Sequence, residues 1–210
     1  MLALSIFCSS QTISVALYNG KRLEFFYKKK ILNGKIDGIF SIIKKCQKSY
    51  SFINLKYIIC TKGPGSFTAI RSLKSICQAL ALFSGAKIFS SSTFIPFFVN
   101  DLNKSSNFIV IFKSSEKKYF FQMFQIKNNK IEQESKLAQK EIPEILNFYL
   151  IKKKKIKNLS IIADDIHIKK GFPKNAVKYY EANAKDLAKS FFGGFCEKNL
   201  DIFYHSTYYE

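Results

Sequence analysis

The chain has 210 residues, of which 47% are hydrophobic, enough for a real core in one large domain or two small ones. Its net charge of +19 favours contact with polyanions such as RNA, or reflects a generally lysine-rich composition. Five cysteines without C-x-x-C spacing argue against a disulfide framework or a zinc site and fit a reducing cytoplasm. We predict no signal peptide, since no basic region precedes the N-terminal apolar run and polar residues interrupt it. We also predict no membrane contact, since no stretch approaches the roughly 20 apolar residues of a membrane span.

The first third of the chain predicts three strands followed by a helix. Residues 2–7, Thr12–Tyr18 and Leu23–Tyr27 have strand patterns, and Asn19-Gly20 between the last two is a hairpin signal. Apolar residues at i, i+3, i+4 and i+7 then predict an amphipathic helix. These four residues are Ile36, Ile39, Phe40 and Ile43.

A glycine-rich turn connects the next strand and helix. Tyr57–Cys60 reads as a strand, the following helix ends near Ser84, and Ile88–Ser90 is a further short strand. Gly63-Pro64-Gly65 allows a sharp turn, Ser66 and Thr68 can both cap the helix start, and Arg71 lies in its first turn. The backbone N–H groups of such a start attract anions.

The nine residues Gly63-Pro64-Gly65-Ser66-Phe67-Thr68-Ala69-Ile70-Arg71 resemble the GPGSFTGLR signature of the TsaB (YeaZ) family, with Ala69 and Ile70 in place of Gly and Leu. The opening segments Leu2–Ser10 and Ser14–Tyr18 also resemble the family, and the resemblance covers residues 1–95. It implies an α/β protein with the actin-like ATPase (ASKHA) fold, built from two related βββαβαβα half domains.

The second half of the chain predicts a divergent, degraded copy of the first. We expect strands at Phe108–Phe112, Tyr119–Ile126, Lys130–Leu137 and Ser160–Ala163, and helices at Ile142–Ile151 and Ala182–Phe192. The polar stretch 101–107 suggests a boundary, with an N-terminal half domain at 1–102 and a smaller one at 103–210.

Acidic residues are scarce where an ATPase of this fold would need them for Mg²⁺. Phe7 stands where the family's opening strand commonly has an Asp, and Phe112-Lys113-Ser114 stands where an Asp-Ala-Arg string often begins the second half. The first 100 residues contain only two carboxylates, Glu24 and Asp37. We therefore predict no metal, no cofactor and no catalytic residues in this chain.

Three further features are weaker candidates for function. His167 near Asp164-Asp165 could act with a carboxylate, but a solvated loop is the better reading, and His205 stands alone. Cys8 could be a nucleophile but has no evident base. The tract Lys152-Lys153-Lys154-Lys155 could touch RNA phosphates, or could be a solvated connection after a helix.

The two first-half helices are apolar on most sides, which predicts a partner surface beyond the sheet contact, unless the second domain covers them. The predicted interface residues are Ile36, Ile39, Phe40, Ile43, Ile70, Leu73, Ile76, Cys77 and Leu80. The resemblance implies a noncatalytic subunit of the machinery that makes threonylcarbamoyladenosine in transfer RNA, pairing with a TsaD-like catalytic subunit, a TsaE-like ATPase or itself, and meeting tRNA through that complex. Three alternatives stay open: a nucleotide-dependent enzyme, a basic RNA-binding protein acting alone, and a decayed homodimer.

Overall fold

The computed structural model describes residues 1–30, 37–102, 106–128 and 130–202. Within these ranges the chain divides into two compact units. The first unit holds Met1–Pro96 and the described residues from Ala182 onward, and the second holds Phe97–Glu181. The α/β class predicted from the sequence is confirmed by both units, each of which has a mixed sheet.

The sheet of the first unit has five strands in the order β3-β2-β1-β4-β5. These strands are β1 (Leu2–Cys8), β2 (Thr12–Asn19), β3 (Arg22–Lys30), β4 (Leu55–Thr61) and β5 (Lys87–Ser91). The first three form an antiparallel meander, and β4 and β5 run parallel to β1. The hairpin predicted at Asn19-Gly20 is confirmed, with Gly20 at a φ of 61°.

Two helices cover one face of this sheet. Helix α1 (Asp37–Gln47) lies over β2 and β3, and α2 (Phe67–Ser84) lies over β4, β5 and β1. Their sheet-facing sides enter one core with the alternate strand residues Leu4, Ile6 and Val15. Helix α2 ends at Gly85, whose φ of 69° is a left-handed conformation that glycine adopts without strain.

The opposite face is covered by the last helix of the chain, α5 (Ala184–Phe192). The Ser5 hydroxyl donates to the Ala184 carbonyl at 2.8 Å, and the Ala184 N–H donates to the Ser14 hydroxyl at 2.8 Å. Phe192 packs edge-on against Tyr18. A division of the sequence at residue 103 predicts this helix in the second half domain. The helix instead completes the first unit, because α1 and α2 leave one face of β1, β2 and β4 without cover.

The second unit repeats the same strand order, β8-β7-β6-β10-β11. Its strands are β6 (Ser106–Lys113), β7 (Tyr119–Lys127), β8 (Lys130–Gln133), β9 (Ala138–Lys140), β10 (Leu159–Ala163) and β11 (Val177–Tyr179). Helix α4 (Ile142–Lys155) follows the meander, as α1 does in the first unit, and the place of α2 is taken by a six-residue 3-10 helix, Ile166–Gly171. Of the third strand predicted at Lys130–Leu137, only Lys130–Gln133 is a strand, β8. The next strand, β9, begins after the predicted range, and both strands pair with β7.

Both faces of the second sheet are also covered. Ile145 and Tyr149 of α4 pack with Ile109 and Ile161 on one face. On the other face Phe97 stacks on Phe112, and Phe98 stacks on Phe108. These two phenylalanines come from the short helix α3 (Ile95–Phe98), and the 3-10 turn Val99–Asp101 continues it. No helix in the described part of the chain is long and apolar enough to cross a bilayer.

Candidate functional site

The glycine-rich turn lies where the sequence placed it, between the end of β4 and the start of α2. Gly63 has a φ of 104°, which favours glycine, and the Gly63–Pro64 peptide bond is cis. A Cβ on Gly65 would sit 3.4 Å from two side-chain carbons of Ile70, so the turn packs closely on the first turn of its own helix. The Gly63 carbonyl accepts the Thr93 N–H at 2.8 Å, which ties the turn to the segment after β5.

The helix start is built differently from the prediction. Ser66 is the N-cap residue of α2, but its side chain makes no capping hydrogen bond, and its carbonyl accepts the Ile70 N–H at 2.9 Å. Thr68 is an exposed residue inside the helix and does not occupy the cap position. The Arg71 guanidinium carbon lies 3.9 Å from the ring centroid of Phe67, a cation–π contact across one helical turn.

Polar side chains gather at the carboxyl ends of β1, β4 and β5. The Thr61 hydroxyl accepts the Cys8 N–H at 3.0 Å and donates to the Cys8 carbonyl at 3.1 Å. The Ser9 hydroxyl accepts the N–H groups of Gln11 and Thr12, which shapes the turn after β1. In open α/β sheets this edge is where ligands bind, so we regard it as the candidate site of the first unit.

Two groups at this edge were not singled out from the sequence. Lys62, between β4 and the turn, is buried, and its Nζ lies 2.6 Å from Oε2 of Glu197. The Thr93 hydroxyl is fully buried and has no hydrogen-bond partner among the described residues. Lys62 could have been noticed by its position beside Gly63, whereas its partner lies 135 positions away and nothing local indicates the pair.

The predicted partner interface is wrong for most of its residues. Six of the nine side chains are buried in the first unit's core: Ile39, Ile43, Ile70, Leu73, Ile76 and Cys77. Leu80 is partly buried against that core, and Ile36 lies outside the described residues. The sequence pattern identified apolar helix positions correctly, but the sheet of the same unit covers them.

Other apolar side chains remain exposed on these helices. Phe40 is 60% exposed on α1, and Leu82 and Phe83 are 88% and 65% exposed at the end of α2. Ile53, in the connection between α1 and β4, is 60% exposed. The three helical side chains among them lie on the solvent side of α1 and α2.

Four of the five cysteines have environments that suppress nucleophilic reactivity. Burial raises the pKa of the Cys8 thiol to about 12, and it does the same for Cys46 and Cys196. A hydrogen bond with Cys60, together with burial, raises the pKa of Cys77 well above its usual value. A thiol with such a pKa stays protonated at neutral pH, so the interpretation of Cys8 as a buried apolar residue is confirmed.

Carboxylates do occur at the corresponding edge of the second sheet. Asp164 follows β10, is buried, and accepts the Lys113 N–H at 3.3 Å. Asp165 accepts the His167 N–H and the Tyr119 hydroxyl at 2.9 and 3.2 Å. His167 thus contributes its backbone, and it lies in the 3-10 helix rather than in a loop. His205 lies outside the described residues.

These acids do not assemble into a metal site. Among the described residues, no group of three or more His, Cys, Asp or Glu side chains is arranged to hold a metal ion. Phe7 and Phe112, at the positions where acids were missing from the sequence, are both buried.

The lysine tract belongs to α4 itself rather than to a connection after it. Lys152 to Lys155 form the last turn of this helix, where cations suit the negative end of the helix dipole. The Lys153 ammonium donates to the Lys157 carbonyl at 2.7 Å, and Lys152 lies 5.6 Å from the Phe148 ring centroid. These contacts give part of the tract a role at the helix end.

No family model and no curated protein matches the sequence. Among solved structures, the chain is similar to YeaZ from Pseudomonas aeruginosa, with a TM-score of 0.71 and 12% identity, over 97% of this chain and 99% of that chain. A protein from Bacteroides thetaiotaomicron described as having an actin-like ATPase fold gives a TM-score of 0.51 and 13% identity, over 91% and 95% of the two chains. EutJ from Carboxydothermus hydrogenoformans gives a TM-score of 0.52 and 11% identity, over 91% of this chain and 90% of that chain. The predicted actin-like ATPase fold is therefore confirmed.

Proposed function

We propose that this protein is a TsaB-like accessory subunit that supports a TsaD-like catalytic subunit in making threonylcarbamoyladenosine in transfer RNA. The observation that carries the proposal is the coincidence of two independent likenesses. The backbone is similar to YeaZ over nearly the whole chain, and the turn that resembles the TsaB signature lies at the strand-to-helix junction. A likeness in sequence at one turn and a likeness in fold throughout support the same family.

The accessory role is supported by the chemistry of the site. Lys62, paired with Glu197, and hydroxyl groups lie at the carboxyl edge of the first sheet, where an actin-like ATPase would need carboxylates around Mg²⁺. In this role the exposed apolar side chains Phe40 on α1 and Leu82 and Phe83 on α2 contact the partner subunit. The chain buries these side chains against the partner subunit and so fixes the arrangement of that subunit.

The test is co-expression with the TsaD homologue of the same organism, followed by size-exclusion chromatography. We expect a complex with the unaltered chain, and we expect Phe40→Glu combined with Leu82→Glu to abolish it, because a charge cannot be desolvated in an apolar contact without a partner. The circular dichroism spectrum and melting temperature of this double variant should stay close to those of the unaltered protein, since both side chains are more than half exposed.

The matched control places a charge on the buried side of the same helices. Leu73→Glu should unfold or aggregate the chain, because Leu73 is fully buried in the core. A folded Phe40→Glu/Leu82→Glu variant that still co-elutes with TsaD would refute the proposed surface. Absence of any complex with the unaltered chain, together with hydrolysis of ATP by the isolated protein, would instead favour the nucleotide-dependent enzyme.

A further inference from the structure

A pocket of about 260 Å³ opens on the second sheet, on the face that Phe97 and Phe98 cover. These two rings stack over β6 and reach β7, whereas in the first unit the longer helix α5 packs on β1, β2, β4 and β5. The pocket lies beside the two rings, over the amino ends of the parallel strands β6 and β10 and beside β11. Ligands of open α/β sheets usually bind at the opposite, carboxyl edge, so this pocket is separate from the candidate site described above.

The floor of the pocket consists of side chains from three neighbouring strands. Phe108 is in register with Ser160, and Ile162 is in register with Lys178, so these four residues share one face of the sheet. Phe108 and Ile162 are buried and close the bottom, whereas Ser160 and Lys178 are exposed at the rim. A small apolar floor with converging polar groups is typical of a site for a small molecule.

The charged residues that line the pocket neutralise each other. The Lys178 ammonium donates to Oδ2 of Asp101 at 3.0 Å, and no other described residue of the lining is charged. The whole chain carries a net charge of +19, so this pocket is a neutral site on a basic protein. A ligand with a net charge would find no unpaired countercharge here, which favours a neutral ligand.

Three further polar side chains of the lining are available for hydrogen bonding. They belong to Ser106, Ser160 and Asn175, and none of them forms a side-chain hydrogen bond within the described part of the chain. Each of these hydroxyl and amide groups can both donate and accept, as can the hydroxyl groups of a ligand. A ring that carries several hydroxyl groups can therefore pair with this rim while its C–H groups face the apolar floor.

We propose that this pocket binds a neutral polyhydroxylated ring, which is either a free monosaccharide or the ribose of a nucleoside. Pockets for drug-sized ligands measure roughly 300–1,000 Å³, so this smaller pocket holds a single ring of this kind. Asp101 and Lys178 add one acceptor and one donor at the rim. All lining residues belong to the second unit, whereas the proposed partner contacts lie on α1 and α2 of the first, so the proposal does not depend on the accessory role.

The test is saturation-transfer difference NMR of the full chain with D-glucose, D-ribose and uridine as probes. We expect saturable binding of at least one probe to the unaltered chain. The double variant Ser160→Ala/Asn175→Gly should bind that probe at least about tenfold more weakly, because two hydrogen-bonding side chains are lost. Glycine is chosen at position 175 because Asn175 has a φ of 66°, a left-handed conformation in which alanine would be strained.

Ser115→Ala is the matched control, since Ser115 is an exposed serine of the same unit outside the pocket. This control should bind the probe as the unaltered chain does, and the circular dichroism spectra of all three proteins should agree. The proposal would be overturned if no probe binds saturably to the unaltered chain, or if a folded double variant binds as tightly as the unaltered chain. If the double variant does not fold, Ser160→Leu fills the pocket from an exposed position, and binding that survives this substitution would overturn the proposal equally.

The three probes also distinguish the two sources of the ring. Binding of glucose or ribose at least as tight as that of uridine indicates a free monosaccharide. Tighter binding of uridine, weakened again in the double variant, indicates a nucleoside.

Discussion

At the scale of single residues, Asp164 has an environment that opposes its charge. It is buried after β10, and burial raises the pKa of its carboxyl from 3.8 to about 7. The negative charges of Asp165 and Glu181 act in the same direction, while the Lys113 N–H that binds the carboxylate opposes them. In the unfolded chain the group titrates near its ordinary value, so the folded state holds this proton to higher pH.

This difference gives a signed prediction for stability. Between about pH 4 and pH 7 the folded state binds more protons than the unfolded state at this site, so the contribution of Asp164 to the free energy of unfolding falls as pH rises through that window and stays low above it. Asp164→Asn removes the ionisation and keeps an oxygen for the Lys113 N–H. The variant should therefore be more stable than the unaltered protein at pH 8, with the advantage shrinking towards pH 4.

Urea unfolding at pH 5 and at pH 8 measures the effect. The raised pKa of Asp164 corresponds to a change of about 4 kcal/mol at most in the free energy of unfolding, at about 1.4 kcal/mol for each pKa unit. The exposed carboxylate variant Glu132→Gln should show no comparable pH-dependent gain. An Asp164→Asn protein with the same pH dependence as the unaltered chain would contradict the assignment.

At the scale of elements, α5 joins the last part of the sequence to the first sheet. Leu187 is fully buried at its centre, and the helix begins with a capping box in which Asn183 and Asp186 exchange side-chain and backbone hydrogen bonds. Leu187→Ala should cost about 2–5 kcal/mol, the usual range for this substitution in a core. The loss should concentrate in the first unit, because α5 packs on β1, β2 and β4.

Hydrogen exchange read by mass spectrometry separates the two units in this experiment. Peptides from β1 and β4 should exchange faster in Leu187→Ala, whereas peptides from β6 and β10 should be little changed. Leu150→Ala, at a 44% exposed position of α4, is the matched control. In both sets of peptides it should change the exchange rate less than Leu187→Ala changes that of the β1 and β4 peptides. Faster exchange confined to the second unit would show that α5 does not stabilise the first sheet.

Helices, strands and turns with local sequence signals could be predicted, but the surface on which each helix packs could not. The β1–β3 meander, α1, α2 and the glycine turn follow from apolar periodicity and turn residues close together in the chain. The covering of the first sheet by α5 depends on contacts such as Ser5 with Ala184, 179 residues apart, for which periodicity carries no information. The same limit explains why the sequence pattern predicts a partner surface at Leu73, since an apolar helix position does not indicate which surface buries it.

At the scale of the whole molecule, the two units share one strand order, although the sequence of the second predicts only a degraded copy. Its 3-10 helix Ile166–Gly171 replaces the 18-residue helix α2, which removes the periodic signal by which the repeat could be recognised. For the candidate site, the sequence predicts the glycine-rich turn, Gly63 to Arg71, but it does not predict the ion pair of Lys62 and Glu197. A backbone turn is determined by neighbouring residues in the sequence, whereas an ion pair between distant positions depends on the completed fold.

Positive charge is also a property of the whole molecule, since residues 1–102 carry 14 basic and 3 acidic residues and residues 103–210 carry 20 and 12. A spread of this kind predicts weak binding of the isolated chain to tRNA, steeply dependent on salt, with no single patch dominating. Lys154→Gln/Lys155→Gln on α4 and Lys44→Gln/Lys48→Gln at the end of α1 remove equal charge from exposed positions. Both double variants should reduce the slope of log K against log salt by similar amounts, each by about 0.7–0.9 for every phosphate that the protein no longer neutralises.

Fluorescence anisotropy of labelled tRNA over a range of sodium chloride concentrations measures both slopes. Similar reductions would leave the net charge as the origin of binding, in keeping with a subunit that meets tRNA through its complex. A reduction of the slope confined to Lys154→Gln/Lys155→Gln would identify the end of α4 as a true RNA-binding surface. If binding is localised there, only removal of those lysines lowers the number of counterions that binding releases. In that case tight binding by the isolated chain would favour an RNA-binding protein that acts alone.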